Sequence, residues 1–151
     1  MKRILIIALM VLHGLVLKAQ ENDPELLQIV EGLGAKMEKL VVAEEIDALV
    51  DMYSESSQYL PDQGRIYSGL TEIRKVWELT FQVDVVDFEL TTSKVGGSKD
   101  RIYETGSGFS KISYNGQESV QKFKYVNIWE RQTSGEYKLI VDIYNRDIPT
   151  K

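Results

Sequence analysis

The sequence predicts an α+β fold, with helices packed on one face of a curved antiparallel sheet. Two observations predict it. Apolar residues recur at helical spacings of three and four in the first half, then alternate from about Val85 onward. Gly96-Gly97, Asn115-Gly116 and Ser134-Gly135 punctuate the alternating half as hairpin turns would.

The chain opens with Lys2 and Arg3, followed by an almost wholly apolar run from Ile4 to Leu17 and then Lys18-Ala19. This pattern predicts a secretory signal peptide over residues 1–19, cut near Ala19/Gln20, and one domain over residues 20–151. The apolar run is shorter than the roughly 20 residues of a membrane-spanning helix. No cysteine follows it to carry a lipid. The expectation is a secreted or periplasmic protein that has no membrane attachment once the leader is removed.

Asp23 is placed to cap a first helix, with Pro24 at its first position. Leu26, Val30, Leu33, Met37 and Leu40 form one apolar stripe along it. A second helix is expected from about Val42 to Tyr53, with Glu44, Glu45 and Asp47 in its first turn. Gln58-Tyr59-Leu60 reads as a short strand before the turn Pro61-Asp62-Gln63-Gly64. A third helix runs from Leu70 to about Phe81, with Ile73, Val76 and Trp77 on its apolar side. Strands follow near Val85–Val95, Arg101–Tyr114, Gln117–Gln132 and Tyr137–Arg146.

Composition narrows the chemistry. The net charge of −5 becomes −8 when Lys2, Arg3 and Lys18 leave with the leader. An acidic domain without a basic stripe argues against nucleic acid and anionic membranes as partners. The only histidine, His13, lies in the leader, and cysteine is absent. A Ser-His-Asp or Cys-His arrangement, a disulfide and the usual zinc sites are therefore excluded from the mature chain. No metal or cofactor is expected.

Strand register points to a candidate site. A two-residue Asn115-Gly116 turn sets Glu104 opposite Asn127, Gly106 opposite Tyr125 and Gly108 opposite Phe123. The glycines leave room for rings lying across the neighbouring strand. Pairing Gln132 with Tyr137 then sets Ile140 beside Trp129, Asp142 beside Asn127 and Tyr144 beside Tyr125. One face would carry Glu104, Asn127 and Asp142 among Trp129, Tyr125, Tyr144 and Phe123. The other would carry Tyr103, Val126, Ile128, Leu139, Val141 and Ile143. A bulge or a three-residue last turn would flip Asp142 to the opposite face.

Two readings follow. In one, the mixed face lines a pocket under the helices and the apolar face makes a dimer contact. Desolvation and like charge would then raise a carboxyl pKa, leaving a group able to act as general acid or base. In the other, the apolar face is the core and the carboxylates are solvated. The crowded aromatic residues favour the pocket. A Gly96-Gly97 turn, placing Glu89 beside Glu104 with Phe88 and Leu90 on the apolar side, favours the solvated face.

Two segments resemble the SnoaL-like branch of the nuclear-transport-factor-2-like superfamily, which shares its cone-shaped fold with ketosteroid isomerases. One is Tyr59-Leu60-Pro61-Asp62-Gln63-Gly64 through Gly69, Ile73 and Trp77. The other is Lys124-Tyr125-Val126-Asn127-Ile128-Trp129, Gly135-Glu136-Tyr137-Lys138 and Asp142-Ile143-Tyr144-Asn145. The resemblance implies a cone-shaped curved antiparallel sheet wrapped around three N-terminal-half helices, an open-ended cavity and homodimers formed through the sheet. It does not choose an activity, since such folds host isomerases, cyclases, hydratases and proteins that only bind. With no histidine, any chemistry would be of the carboxylate and phenol kind.

The expected function is binding of a small apolar or aromatic molecule. Candidate ligand-binding residues are Asn127, Tyr125, Tyr144, Trp129, Tyr59 and Trp77. One alternative is an isomerase- or cyclase-type enzyme using Asp142 and Glu104 as its catalytic pair. The other is a periplasmic interaction or structural protein.

Overall fold

The computed structural model describes residues 22–147. The expected leader and its cleavage point lie outside the described residues. Three helices, α1 (Pro24–Val42), α2 (Ile46–Asp51) and α3 (Leu70–Thr80), cover one face of a six-stranded sheet. Its strands are β1 (Tyr53–Leu60), β2 (Tyr67–Ser68), β3 (Asp84–Ser98), β4 (Arg101–Tyr114), β5 (Gln117–Arg131) and β6 (Tyr137–Arg146).

The spatial order is β2-β1-β6-β5-β4-β3. All pairs are antiparallel except β1 with β6, which run parallel, an arrangement that the long β2–β5 excursion between them permits. The sheet is thus mixed, curved and unclosed. Asp23 caps α1 as expected, accepting from the Glu25 and Leu26 backbone N–H groups at 2.9 and 3.3 Å. Gly34 is buried where α1 crosses β3, and a Cβ there would lie 3.9 Å from the Leu90 side chain.

The second helix is shorter than expected. It ends at Asp51, and Tyr53 begins β1 instead of closing a helical turn. Leu139 N–H bonds the Met52 carbonyl at 2.8 Å, so pairing with β6 competes successfully with helix continuation.

The β3–β4 turn also differs. It lies at Lys99-Asp100, and Gly96 and Gly97 stay within the ladder, facing Tyr103 and Ile102. A Cβ on Gly96 would meet the Tyr103 ring, and one on Gly97 would sit 2.3 Å from the Arg101 carbonyl. These glycines serve close approach within a strand pair rather than a turn. Glu104 consequently faces Val95, while Glu89 faces Phe109. Phe88 and Leu90 turn to the helix-covered side, which removes the observation that favoured a solvated Glu104.

The last hairpin contains both irregularities that would have displaced Asp142. Arg131 pairs with Tyr137, one residue short of the expected register, and Leu139 instead of Ile140 faces Trp129. A bulge at Ile140 then restores the register, so Asn127 faces Asp142 and Tyr125 faces Tyr144. Leu139 therefore belongs to the covered face, where it is fully buried. Val126, Ile128, Val141 and Ile143 occupy the other face, as expected.

Candidate functional site

The β1 and β6 bulges build the site together. β1 shifts register between Tyr53 and Gln58, alongside the β6 bulge. The fully buried Ser57 hydroxyl ties them, accepting from Ser54 N–H at 2.8 Å and donating to the Leu139 carbonyl. This arrangement brings Tyr53 and Tyr59 to the covered face. Tyr53 donates its phenol proton to Asp142 Oδ2 at 2.6 Å. The Ser57 contribution carried no motif, because a serine holding a bulge looks like any serine in a polar run.

The covered face forms a cavity of about 350 Å3, near the lower end of the roughly 300–1,000 Å3 usual for ligand pockets. Its walls include six aromatic rings, Tyr59, Trp77, Phe88, Phe123, Tyr125 and Tyr144. They interlock: Tyr59 lies 6.4 Å from Trp77 and 6.1 Å from Tyr144 between centroids, and Phe88 stacks on Phe123 at 5.7 Å. Met37, Leu90 and Ile112 add aliphatic surface.

The inner-face residues of β5 and β6 rise from floor to mouth. Trp129 and Leu139 are buried beneath it, and Asn127 and Asp142 come next. Tyr125 and Tyr144 follow, and Phe123 and the exposed Arg146 stand at the mouth. Arg146 Nε is paired with Asp62 at 2.5 Å.

The three polar residues of the predicted row are aligned across β4, β5 and β6, but they do different things. Glu104 is 2% exposed and does not line the cavity. Its Oε1 accepts from Thr92 Oγ1 and from the Tyr125 phenol, both at 2.7 Å, and its Oε2 accepts from Trp129 Nε1 at 3.0 Å. An indole N–H can only donate, so this carboxyl serves as the acceptor that fixes two aromatic side chains.

Asn127 lines the cavity and is 3% exposed, and its Oδ1 has no hydrogen-bond partner. Asp142 also lines the cavity and keeps part of its surface open. Burial raises its pKa to about 6, opposed by the Tyr53 hydrogen bond and reinforced by the Glu104 charge. The Tyr53 and Tyr59 phenols are held well above their usual value by burial and by the Asp142 charge. Burial and Glu104 likewise raise Tyr125.

Six of the eight predicted site residues thus line one cavity: Asp142, Asn127, Tyr125, Tyr144, Tyr59 and Trp77. Glu104 and Trp129 lie beneath it. Tyr53, expected at the end of a helix, instead begins β1 and brings its phenol to Asp142. Among the described residues, no group of three or more His, Cys, Asp or Glu side chains converges to hold a metal ion. Among the same residues, no helix is long and apolar enough to cross a membrane.

No family model matches the chain, and no curated protein matches its sequence. Solved structures do. A ketosteroid isomerase-like protein from Erwinia carotovora atroseptica superposes with a TM-score of 0.73 at 14% identity, covering 84% of this chain and all of that one. A protein from a Streptomyces species gives a TM-score of 0.71 at 12% identity, covering 85% of this chain and 95% of that one. A nuclear-transport-factor-2-like protein with a cystatin-like fold from Novosphingobium aromaticivorans gives 0.67 at 12% identity, covering 83% and 86%. At such low identities the agreement lies in backbone architecture, and it extends over most of each chain. The chain has the α+β cone fold of the nuclear-transport-factor-2-like superfamily.

Proposed function

We propose that this chain is a small-molecule-binding domain whose mainly apolar ligand occupies the cone cavity. The observation that carries the reading is an aromatic-walled space lined at its floor by the half-buried Asp142 and by Asn127 with its unpartnered amide oxygen. Apolar walls supply burial, while a few fixed polar groups orient what enters. Glu104 supports the site from below by holding Tyr125 and Trp129 in place. The test is thermal denaturation against a metabolite library, with Ser110→Phe as a variant that narrows the cavity. Compounds that raise the melting temperature of the native chain but not of Ser110→Phe support the reading. A library that shifts neither protein removes it.

A second reading is favoured by Asp142 itself. A cavity carboxyl with a pKa of about 6 can take up and return a proton near neutral pH, as an isomerase or cyclase requires. Asp142 would be the catalytic group, and Glu104 would act through Tyr125 without touching substrate. The likeness to a ketosteroid isomerase-like protein is compatible with this. Carboxyl titration by NMR tests it, because an Asp142 that ionises near 4 lacks the required proton affinity.

The outer sheet face supports a homodimer. Val126, Ile128, Val141 and Ile143 form a contiguous apolar strip there, half-exposed in the single chain. The leader pattern supports export to the periplasm or medium.

A further inference from the structure

The ligand reading leaves open what the polar floor of the cavity recognises. Two oxygens there want donors. Asn127 Oδ1 is buried without a partner, and Asp142 accepts a described hydrogen bond only on Oδ2, from Tyr53. They belong to directly opposed residues on β5 and β6, whose side chains in such a pair stand roughly 5 Å apart. The remaining orphaned polar atom of the cavity, the Trp77 indole N–H, lies beside the Tyr53 phenol.

The floor also lacks a counter-charge. Among the described residues, the one cationic side chain in the cavity lining is Arg146, which is at the mouth and bound to Asp62. A neutral hydroxyl could serve one of the two oxygens. An ammonium carries three N–H donors and the missing charge, so it can serve both. Tyr59 and Tyr144, whose ring centroids lie 6.1 Å apart in the cavity wall, supply aromatic surface of the kind that attracts a cation. Net charge favours the same choice, since the chain carries −5 and would draw cations toward its openings.

We propose that the cavity selects a protonated amine on an aromatic or otherwise apolar body, with the ammonium between Asp142 and Asn127 and the body against Tyr59, Trp77 and Tyr144. This rests on the cavity being a ligand site. The proton affinity of Asp142 agrees with it: burial without a cation raises the pKa, and a bound ammonium would relieve that cost.

Matched pairs of probes separate the two claims: tryptamine with tryptophol, naphthylmethylamine with naphthylmethanol, and phenylbutylamine with phenylbutanol. Affinities are measured by calorimetry on the native chain and on Asp142→Asn. The expected result is an amine preference of about tenfold or more near pH 8, the scale of a charge-assisted hydrogen bond. It should shrink toward pH 5 as Asp142 takes up its proton.

The other titratable groups facing Asp142 are Tyr53 and Tyr59 on β1, Tyr144 on β6, and Glu104 behind Asn127. The three phenols are raised and stay protonated throughout this range, and α1 and α3 contribute no titratable group to the lining. Asp142→Asn should lose the amine preference, and its cooperative urea unfolding reports that it is folded. Equal binding of amines and alcohols, or a preference that survives in Asp142→Asn, overturns the proposal while leaving the cavity as a ligand site. If no member of any pair binds, and the metabolite library shifts nothing, both claims fall together.

Discussion

Replacing Glu104 by alanine tests whether this carboxyl is structural, and the expected cost follows from its three partners. Thr92 and Tyr125 can rotate their hydroxyls toward other acceptors, but the Trp129 indole N–H cannot. One orphaned buried donor costs about 1–3 kcal/mol. Deleting the rest of a side chain that is 2% exposed adds a cavity penalty beneath Trp129 and Tyr125. A total of about 3 kcal/mol or more is expected. With a urea m-value of about 1.5 kcal/mol/M, the unfolding midpoint should fall by about 2 M. Glu104→Gln should cost much less. Its carbonyl can face Trp129 while its amide faces the two hydroxyls, which turn to accept. Equilibrium urea unfolding followed by tryptophan fluorescence reads both variants. A loss below about 0.5 kcal/mol for Glu104→Ala, the usual range for a surface change, would refute the account of a carboxyl that anchors the floor.

Three further outcomes are expected. Asp142 has a folded pKa of about 6 against an ordinary value of 3.8, so its native form holds the proton more tightly than the unfolded chain does. Its contribution to stability is therefore full below about pH 4 and lost as pH rises through 6. Asp142→Asn should be more stable than the native chain at pH 8, by at most about 3 kcal/mol, with the gain vanishing near pH 4 in paired urea titrations. Gly106→Ala would place a Cβ 2.4 Å from the Thr91 carbonyl and 2.5 Å from the Tyr125 ring. It should cost about 2 kcal/mol or more, because one neighbour is backbone. Gly32→Ala, on the exposed side of α1 with nothing within 4 Å, should instead stabilise by about 0.5–1 kcal/mol. Calorimetric melting distinguishes these opposite signs. If the outer strip forms a homodimer, Ile128→Lys should yield monomer in light scattering while the melting of the isolated chain changes little. A native chain that is itself monomeric at high concentration would dispose of that interface.

Much of the architecture was legible because period and turn chemistry are local. The Asn115-Gly116 turn sets the whole β4–β5 ladder, and every pair from Tyr114 with Gln117 to Arg101 with Glu130 follows from it. Gly106 and Gly108 reinforce that register, since only glycine leaves room beneath Tyr125 and Phe123. Where glycines serve close packing within a ladder, the same reasoning misplaces a turn, as at Gly96-Gly97. Tyr53 failed for a different reason. Its helical spacing is real, yet the β1 strand wins because its partner β6 arrives from the far end of the chain. Nonlocal pairing leaves little trace in a short window. The same holds for Ser57, whose role exists only beside the Leu139 carbonyl.

Asp142 reaches the covered face through two irregularities that compensate one another. A short last turn alone would have sent Asp142 to the outer face and Ile143 inward. Instead Leu139 takes a buried place in the core, and the chain then needs an extra residue to return a polar group to the cavity. Ile140 supplies it. The bulge is stabilised from β1, where the Ser57 hydroxyl holds the Leu139 carbonyl that the irregular pairing exposes. One parity change satisfies the core at Leu139, and the second satisfies the site at Asp142. Alternation on β5, which has no bulge between Tyr125 and Trp129, fixes where both must end. The aromatic spacing of β5 therefore carries more information about the site than the β6 sequence that contains the carboxylate.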